Sequence, residues 1–530
     1  MKNEVRLEIK KAGINGEGIG FWHRKPVFIP GCFPGEEVLC TLKEEGRYYR
    51  GELIRVLKKS EQRIRPSCVH FRKCGACALM ELNYEEQLRI KKQLLEGALF
   101  KYAGIETVEE DIVASPQILH YRNKANLPVF ERDGKLVNAI YRQGSNHPVL
   151  IDECPVHEQR VEEIRKALLE VLNRHRFHSY DRKEKTGIRQ IVVRGFVEEY
   201  QAVIITGKED LSVIGEDLKQ INGLVSVYQG INTQKDPVSL MPEKLKHLYG
   251  KKKIEMSAGG FDLRLSPQAF FQLNHDQAER IYRDVAGLLP EKCERIVEAY
   301  CGIGTISLYL ADKAKEIIGI EVEKKAVSDA KENARINHFE HLHFLAEDAS
   351  YGLREILKKK EVDVLIVDPP RTGLDEQLLK TLLQKKIGTI IYISCNPATL
   401  GKDLSVLLKH YDVKMIRGYD MFPNTPLVET VVLLSKGNIS SKKVHVDFSL
   451  KDIDMSGIKT GATYDEIKSY VKKNYDLTAS SLNIAQVKEK YGIKERENFN
   501  HSKKQDPKQP KCTEEKEEAI LDALKYYNMV

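Results

Sequence analysis

One cysteine of the chain stands in a setting that suits covalent catalysis. The segment Ser394-Cys395-Asn396-Pro397 follows an apolar stretch over 389–394 that has the pattern of a buried strand. A thiol there can act as a nucleophile, although a lone cysteine is more often a small buried hydrophobic residue. The segment Asp368-Pro369-Pro370-Arg371 ends another predicted strand. Because these strand ends should meet at one sheet edge, Cys395 is a candidate nucleophile and Arg371 a cation that favours its thiolate.

A carboxylate further along the chain could serve as the matching base. Glu429 lies in Pro426-Leu427-Val428-Glu429-Thr430, directly before a predicted buried strand. An acid among apolar neighbours has a raised pKa, which suits proton abstraction. The residues allow equally that Glu429 stands at a strand edge and faces water.

Glycines and acids at successive strand ends indicate a nucleotide-like cofactor. A strand over 295–300 leads into Cys301-Gly302-Ile303-Gly304-Thr305, where glycine lets the backbone approach a ligand. The next strand ends at Glu321, which can accept hydrogen bonds from ribose hydroxyls, and Asp348 follows the third, placed to meet an adenine edge. The third glycine of a dinucleotide fingerprint is absent, since Ser307 stands there. The arrangement looks like the class I S-adenosylmethionine methyltransferase fold; a similar scaffold with another nucleotide is the alternative.

The elements that must position these residues form an α/β domain. Over 255–437, near-continuous apolar strands alternate with helices, which predicts a Rossmann-like, doubly wound parallel sheet covered on both faces. Residues 1–58 contain short strands separated by glycine turns, typical of a small OB-like barrel. Residues 59–254 form a mixed α/β central domain, in which Leu82–Tyr102 has helical spacing.

The last predicted domain, residues 438–530, is a mostly helical extension without an assigned function. Thr463-Tyr464-Asp465-Glu466 is a capping box that opens one helix, and a second runs from about Ser481 to Tyr491. The polar stretch 498–511 predicts a linker, and a short helix closes the chain.

The distribution of charge and the composition of the chain indicate what kind of partner it has and where it acts. The formal net charge is +7, and residues 1–75 hold 16 Lys/Arg against 9 Asp/Glu, an excess of 7. A basic N-terminal module suits a polyanion such as RNA, although a basic surface without a partner fits equally. No apolar run approaches the roughly 20 residues that span a bilayer, and the N-terminus lacks the pattern of a signal peptide. We therefore expect a cytoplasmic protein with reduced cysteines, acting as a monomer without membrane or DNA partners.

Several motifs together resemble one family, the RNA 5-methyluridine methyltransferases. They are the Asp-Pro-Pro-Arg segment at Asp368, the Ser-Cys-Asn-Pro segment at Cys395, the Pro-Leu-Val-Glu-Thr-Val segment at Glu429, and Phe270-Phe271-Gln272-Leu273-Asn274. The resemblance covers about residues 1–437 and keeps the order of the motifs. It implies an enzyme that methylates C5 of uridine in RNA with S-adenosylmethionine as methyl donor.

The same resemblance implies roles for individual residues. Cys395 would be the nucleophile that adds to C6 of uracil, and Glu429 the acceptor of the C5 proton. It places Gln272, Tyr300, Glu321 and Asp368 on S-adenosylmethionine, with Thr305 and Asp348 where further cofactor contacts occur. Residues 5–58 resemble the TRAM domain, an OB-like RNA-binding barrel.

Four further cysteines predict a metal site. Cys68, Cys74 and Cys77 have the spacing Cys-x5-Cys-x2-Cys, and Cys154 precedes a proline. Four thiolates suit zinc and iron–sulfur equally. The resemblance implies a 4Fe-4S cluster, since members of the family that act on ribosomal RNA carry this pattern. We therefore expect a 23S rRNA (uracil-C5)-methyltransferase.

Two other functions remain open at this level. The first is the same reaction on the T-loop uridine of transfer RNA. The resemblance implies that family members acting on transfer RNA lack the four cysteines, and this chain has all four. The second is an inactive RNA-binding iron–sulfur protein, which would be expected to lose Cys395 or Glu429, and both are present. A DNA-cytosine methyltransferase is disfavoured because its nucleophile stands in a Pro-Cys setting, unlike Cys395.

Overall fold

A computed structural model of the chain describes residues 4–142, 145, 147–234, 241–385, 387–437, 464–490 and 512–526. The chain divides into two units, residues 1–442 and residues 443–530. The finer division into four domains stays a prediction. Within the described ranges, no helix is long and apolar enough to cross a membrane.

The N-terminal strands form a six-stranded sheet in the order β1-β5-β6-β4-β3-β2. Side chains alternate along β1, so that Val5 and Leu7 are buried while Arg6 faces outward. A small core of aliphatic side chains, together with Cys32 and Cys40, fills the inner face, and the sheet is compatible with the predicted barrel. The strands are β1 (Glu4–Glu8), β2 (Lys11–Ala12), β3 (Gly18–Trp22), β4 (Lys25–Ile29), β5 (Glu37–Glu45) and β6 (Tyr48–Lys58).

One long helix, α1 (Tyr84–Ala103), follows the cysteine-bearing segment. The Asn83 side chain accepts a hydrogen bond from Glu86 N–H at its start, and Gly104 ends it in the left-handed conformation that glycine adopts without strain. The helix predicted over 82–102 is therefore confirmed with its bounds shifted by one or two residues.

A mixed seven-stranded sheet forms the centre of the larger unit, in the order β13-β12-β11-β10-β7-β8-β9. Helix α2 covers one face, where aliphatic side chains of the helix and of β10 and β11 share a core. The elements are β7 (Lys124–Arg132), β8 (Lys135–Tyr141), β9 (Pro148–Leu150), α2 (Gln159–Arg174), β10 (Ile188–Phe196), β11 (Glu199–Thr206), α3 (Gly215–Leu218), β12 (Leu224–Ile231) and β13 (Leu245–Gly250).

The predicted Rossmann-like domain is a second seven-stranded sheet, in the order β18-β17-β16-β19-β20-β22-β21. Five strands are parallel as predicted, whereas β22 runs antiparallel to both β20 and β21. Apolar clusters lie on both faces, and α1 packs against α9 on one of them. The elements are β14 (Ile254–Ala258), β15 (Phe261–Leu265), α4 (His275–Gly287), β16 (Cys293–Ala299), α5 (Thr305–Tyr309), β17 (Ala314–Glu321), α6 (Lys324–Ile336), β18 (Leu342–Ala346), α7 (Ala349–Lys359), β19 (Val364–Val367), α8 (Glu376–Gln384), β20 (Thr389–Ser394), α9 (Pro397–Leu407), β21 (Tyr411–Tyr419) and β22 (Glu429–Lys436).

The second unit contains three helices, α10 (Tyr464–Tyr475), α11 (Ser481–Lys490) and α12 (Glu514–Tyr526). They share a core of their own, with Ile467, Ile484 and Ile520 fully buried. The helices predicted from 464 and 481 and the closing helix are confirmed. Thr463 of the capping box and the predicted linker over 498–511 lie outside the described residues.

Candidate active site and cysteine site

The reversed direction of β22 brings Glu429 to the edge of the sheet where Cys395 lies. Cys395 directly follows β20, and Glu429 is the first residue of β22. Because β20 and β22 are antiparallel, with Ser394 paired to Thr430, the end of one strand lies beside the start of the other. Main-chain register alone therefore places the thiol next to the carboxylate.

Asp368 reaches the same edge from the neighbouring parallel strand. It follows β19, which pairs with β20 through Val367 and Tyr392. Burial raises the pKa of both acids, and the charge of Asp368 adds to the rise at Glu429. Burial raises the pKa of Asp368 to about 7. Burial, and then the negative charge of Asp368, raise the pKa of Glu429 well above its ordinary range.

The environment of Cys395 favours the neutral thiol in the protein without ligands. Burial raises its pKa to about 11, the charges of Glu429 and Asp368 add to this, and Arg371 acts in the opposite direction. The predicted role of Arg371 thus has the expected sign, but the two carboxylates and burial outweigh it. The main chain of Arg371 is held in place, since its carbonyl accepts hydrogen bonds from Asn396 Nδ2 at 3.0 Å and Thr399 Oγ1 at 3.2 Å.

The turn after β16 forms an open cradle beside this edge. Tyr300 and Gly302 both adopt positive φ, of 65° and 54°. A side chain at Gly302 would meet no atom of the described residues within 4 Å, so their packing leaves the space above its backbone open. Glu321 fixes the rim, because its carboxylate accepts hydrogen bonds from Gly302 N–H at 3.2 Å and Glu323 N–H at 2.8 Å. Thr305, buried at the start of α5, completes the turn.

Two predicted cofactor residues, Asp348 and Gln272, are held by different kinds of hydrogen bond. Asp348 is exposed and caps α7, since its Oδ1 accepts a hydrogen bond from Tyr351 N–H at 3.0 Å. Gln272 is held through its main chain, whose carbonyl accepts a hydrogen bond from Asn123 Nδ2 at 2.9 Å. Asn123 N–H also donates to the carbonyl of Leu273, so the start of the central sheet positions this segment.

Two buried groups near the site were not found by sequence analysis. Glu298, inside β16, accepts a hydrogen bond from Ser307 Oγ, and burial raises its pKa to about 8. The buried Tyr282 of α4 has a pKa well above its ordinary value, first through burial and then through the charges of Asp368 and Glu298. An acid within an otherwise apolar strand was a usable signal for Glu298, whereas nothing in the local sequence distinguishes Tyr282.

The four predicted metal-ligating cysteines gather around one groove with a volume of about 1480 Å³. Three of them, Cys68, Cys74 and Cys77, lie in turns between β6 and α1, and Cys154 follows β9. Burial raises the pKa of Cys77 to about 12, and the other three thiols contribute to that rise. As they stand, however, the described residues include no group of three or more His, Cys, Asp or Glu arranged to hold a metal ion.

Buried polar atoms beside the cysteines remain unsatisfied. Among the described residues, Nε of Arg122 and Nε2 of His70 are buried without a hydrogen-bond partner, and both residues line the groove. The positive charge of Arg122 lowers the pKa of Cys77, while burial is the larger effect and raises it. Unpaired buried donors are costly, so an anionic group among the thiols would suit this environment.

The same groove carries basic and aromatic side chains away from the cysteines. It extends to the N-terminal sheet at Lys43 and Arg50 and to Phe270, which is 67% exposed and lies two residues before Gln272. Lys124 lines it at the start of β7, and burial lowers its pKa to about 8. Basic groups interleaved with exposed aromatic rings suit a single-stranded nucleic acid.

Comparison with known proteins agrees with this geometry. The family model described as tRNA (uracil-5-)-methyltransferase matches residues 83–183 and 241–437. An uncharacterized RNA methyltransferase of Bacillus cereus is 37% identical over 441 residues, covering 81% of this chain and 96% of the relative. One from Streptococcus pneumoniae is 36% identical over 446 residues, covering 82% and 99%.

A solved structure extends the likeness to three dimensions. The crystal structure of Pyrococcus abyssi tRNA (uracil-54, C5)-methyltransferase in complex with S-adenosyl-L-homocysteine superposes with a TM-score of 0.66 at 30% identity. The match covers 81% of this chain and 99% of that structure. The family match includes Cys395, Glu429 and Cys154, but it does not reach the other three groove cysteines.

Proposed function

The chain belongs to the tRNA (uracil-5-)-methyltransferase family, and we propose that it methylates C5 of a uridine in RNA. The observation that carries the proposal is the position of Cys395 beside Glu429 across two antiparallel strands. A thiol nucleophile and a carboxylate base at one sheet edge are the pair that the reaction needs.

Cys395 opens the reaction by adding to the uracil ring. Its thiol loses a proton to water, and the thiolate forms a bond to C6 while the C5–C6 electron pair moves towards O4. That electron pair would then form the bond from C5 to the methyl carbon, and the pair of the broken sulfur–methyl bond would stay on the donor sulfur, which leaves as a neutral thioether. When bound, S-adenosylmethionine supplies that methyl group and a positive sulfonium, whose charge would lower the pKa of Cys395 from about 11.

Glu429 closes the reaction. Its carboxylate accepts the proton from C5, the C5–C6 double bond forms again, and the Cys395 thiolate leaves. A carboxylate with a raised pKa is a stronger base, and burial raises the pKa of Glu429. Asp368 keeps that pKa high through its own negative charge.

Residues at the cradle are proposed to bind S-adenosylmethionine. The free space above Gly302 and the fixed Glu321 carboxylate suit a nucleoside with ribose hydroxyls. Further proposed contacts around this cradle are Gln272, Tyr300, Thr305, Asp348 and Asp368.

We propose that the groove cysteines hold a 4Fe-4S cluster and that the RNA is 23S rRNA. Four thiols around one groove, with the unsatisfied Arg122 beside them, suit an anionic metal–thiolate group. Cys68, Cys74, Cys77 and Cys154 would be its ligands, with a structural or RNA-positioning role, because the methyl transfer involves no redox step. The N-terminal sheet, as a TRAM domain, would bind the RNA.

Transfer RNA is the second candidate substrate. It is favoured by the likeness to the Pyrococcus abyssi enzyme, which acts on uracil-54 of tRNA. The cysteine pattern is the reason for placing 23S rRNA first.

Methyl transfer from labelled S-adenosylmethionine to unmodified 23S rRNA and to unmodified tRNA tests both proposals. Label recovered as 5-methyluridine in 23S rRNA is expected, and label in tRNA alone would overturn the substrate. Label in neither RNA would leave an RNA-binding protein without this activity. Iron and sulfide analysis of anaerobically purified protein tests the cluster, and one zinc without sulfide would refute it.

A further inference from the structure

Glu429 directly follows a loop that the rest of the larger unit holds from several sides. This loop, residues 420–428 between β21 and β22, is called the base loop. Its first residue, Asp420, forms a fully buried ion pair with Lys91 of α1, and Lys91 Nζ also donates to the carbonyl of Phe422 at 3.0 Å. The start of the loop is therefore fixed by α1.

The half of the base loop nearer to Glu429 is fixed through one residue, Asn424. Its N–H donates to Gln87 Oε1 at 2.8 Å, and its Oδ1 accepts from Gln87 Nε2 at 3.2 Å. Its Nδ2 donates to the carbonyl of Ile118 at 2.7 Å, and its carbonyl accepts from Leu79 N–H at 2.9 Å. Asn424 is 4% exposed and has a φ of 69°, a conformation that asparagine tolerates better than most residues.

One of these contacts, that of Leu79, comes from the segment that carries Cys77, whereas Gln87 lies in α1 and Ile118 lies before β7. Leu79 lies two residues after Cys77, in a tight turn where Met80 N–H donates to the carbonyl of Cys77. The Tyr121 hydroxyl donates to the carbonyl of Pro423 in the base loop at 3.0 Å.

The fourth cysteine reaches the base loop through the neighbour of Tyr121. The N–H of Arg122 donates to the carbonyl of Val156, two residues after Cys154, and the Arg122 guanidinium lies 5.7 Å from the Phe422 ring centroid. The segment after Cys77 and the segment after Cys154 are thus both joined to the base loop through one or two intermediate residues.

We propose that Asn424 is a positioning residue for Glu429 that ties the base loop to the cysteine-bearing segments. Removing the Asn424 side chain then slows removal of the C5 proton and leaves formation of the Cys395 adduct unchanged, and disturbing the cysteine site loosens the base loop. The proposal rests on the proposed function for its kinetic part. Its structural part, the coupling of the base loop to the cysteines, holds independently of activity.

The kinetic test uses Asn424→Gly, which keeps the positive φ accessible. It removes the buried side chain with its hydrogen bonds to Gln87 and Ile118, and it retains the main-chain groups that bond Gln87 and Leu79. The anaerobically purified protein is mixed with S-adenosylmethionine and an RNA that accepts methyl groups, labelled with tritium at C5 of uridine. We expect the covalent protein–RNA adduct to form within about twofold of the wild-type rate. Tritium release should slow by about tenfold to 100-fold, because a misplacement of about 1 Å can cost 100-fold.

The matched control is Asn173→Gly in α2. Asn173 is also held by two side-chain hydrogen bonds, both to Leu136 of the central sheet, far along the chain from the base loop. The control should change neither step. Equal slowing of adduct formation and tritium release in Asn424→Gly would overturn the positioning role.

Hydrogen–deuterium exchange tests the coupling without any RNA. The amides of residues 425 and 427–429 should exchange at least threefold faster in Asn424→Gly and in Cys77→Ala than in the wild type, roughly the effect of losing one net hydrogen bond. The amides of β10 should exchange at unchanged rates. Unchanged exchange at 425 and 427–429 in both variants would refute the coupling. If wild-type protein forms no adduct with any RNA, the proposed function fails, while this measurement still decides the inference.

Discussion

The molecule contains two groups of thiols, and they are built in opposite ways. Cys395 stands at a strand end, and the register of β20, β22 and β19 delivers Glu429 and Asp368 to it. The groove cysteines come from turns and from a segment after β9, and as they stand no described group of three is arranged for a metal. Strand pairing therefore brings the first group together, whereas the second is gathered by turns around one groove.

The two sites also differ in the sign of the charged groups beside their thiols. At the sheet edge of Cys395 the thiol lies beside two acids, and burial together with their charges raises its pKa to about 11. At the groove a buried guanidinium, Arg122, lies beside the thiols, and its Nε has no hydrogen-bond partner among the described residues. The first site therefore suits an incoming cation, and the second suits an anion.

The largest effect should come from removing the nucleophile. Cys395→Ala is expected to lower methyl transfer by roughly 10⁴-fold or more, because the thiol that adds to C6 is gone. The thermal unfolding midpoint should stay close to that of the wild type, because the sheet register does not involve this side chain. Methyl transfer in a filter-binding assay, together with calorimetry, checks both; near-normal transfer would end the covalent mechanism.

Replacing the base should have the next largest effect. Glu429→Gln keeps the size of the side chain but removes its ability to accept a proton, so turnover should fall by about 10³-fold. The adduct between Cys395 and RNA should then accumulate and survive denaturing electrophoresis. Release of product at the wild-type rate would show that another group accepts the proton.

The alkylation rate of Cys395, measured at several pH values, tests whether its acidic surroundings raise the pKa of the thiol. With a pKa of about 11, its thiolate fraction increases as pH rises towards 11 and is small at neutral pH. Alkylation by iodoacetamide should therefore become roughly 100-fold faster from pH 7 to pH 9, whereas an ordinary thiol begins to level off near pH 8.5. Peptide mass spectrometry measures this rate. Arg371→Gln should slow it further, since Arg371 lowers this pKa.

The smallest effect on turnover should come from the cysteine site. Cys77→Ala is expected to lower methyl transfer by only about tenfold, because Cys395 and Asp368 are held by their own sheet and only the base loop before Glu429 is loosened. Limited proteolysis should nevertheless cleave residues 59–83 faster than in the wild type while leaving the catalytic sheet protected. Loss of activity as complete as in Cys395→Ala would mean that the two sites are not separate in the way described.

Much of the fold followed from local patterns. The apolar runs that contain Leu365 and Ile391 predicted two strands of the parallel sheet, and the helical spacing over 82–102 predicted α1. The antiparallel direction of β22 was not predicted, because an apolar strand has the same pattern in either direction. That direction is what places Glu429 beside Cys395.

Local sequence patterns could not predict the pKa values of the site residues or the contacts that hold the base loop. Burial and neighbouring charges set the pKa values of Asp368 and Glu298, and those neighbours come from different strands. The contact between Gln87 and Asn424 joins side chains 337 positions apart in the chain. Such partners are brought together only when the helices and sheets pack.

Residue types and their periodicity were enough to specify which chemistry is available. A thiol after one apolar strand, a carboxylate before another and glycines after a third mark candidate reactive groups, because type and periodicity are local properties. The roles of these groups came from the resemblance to a family. How those groups are charged and held was settled by tertiary packing. The raised pKa of Cys395, the unpaired Nε of Arg122 and the hydrogen bonds of Asn424 all depend on burial against distant segments, and burial is a property of the packed molecule.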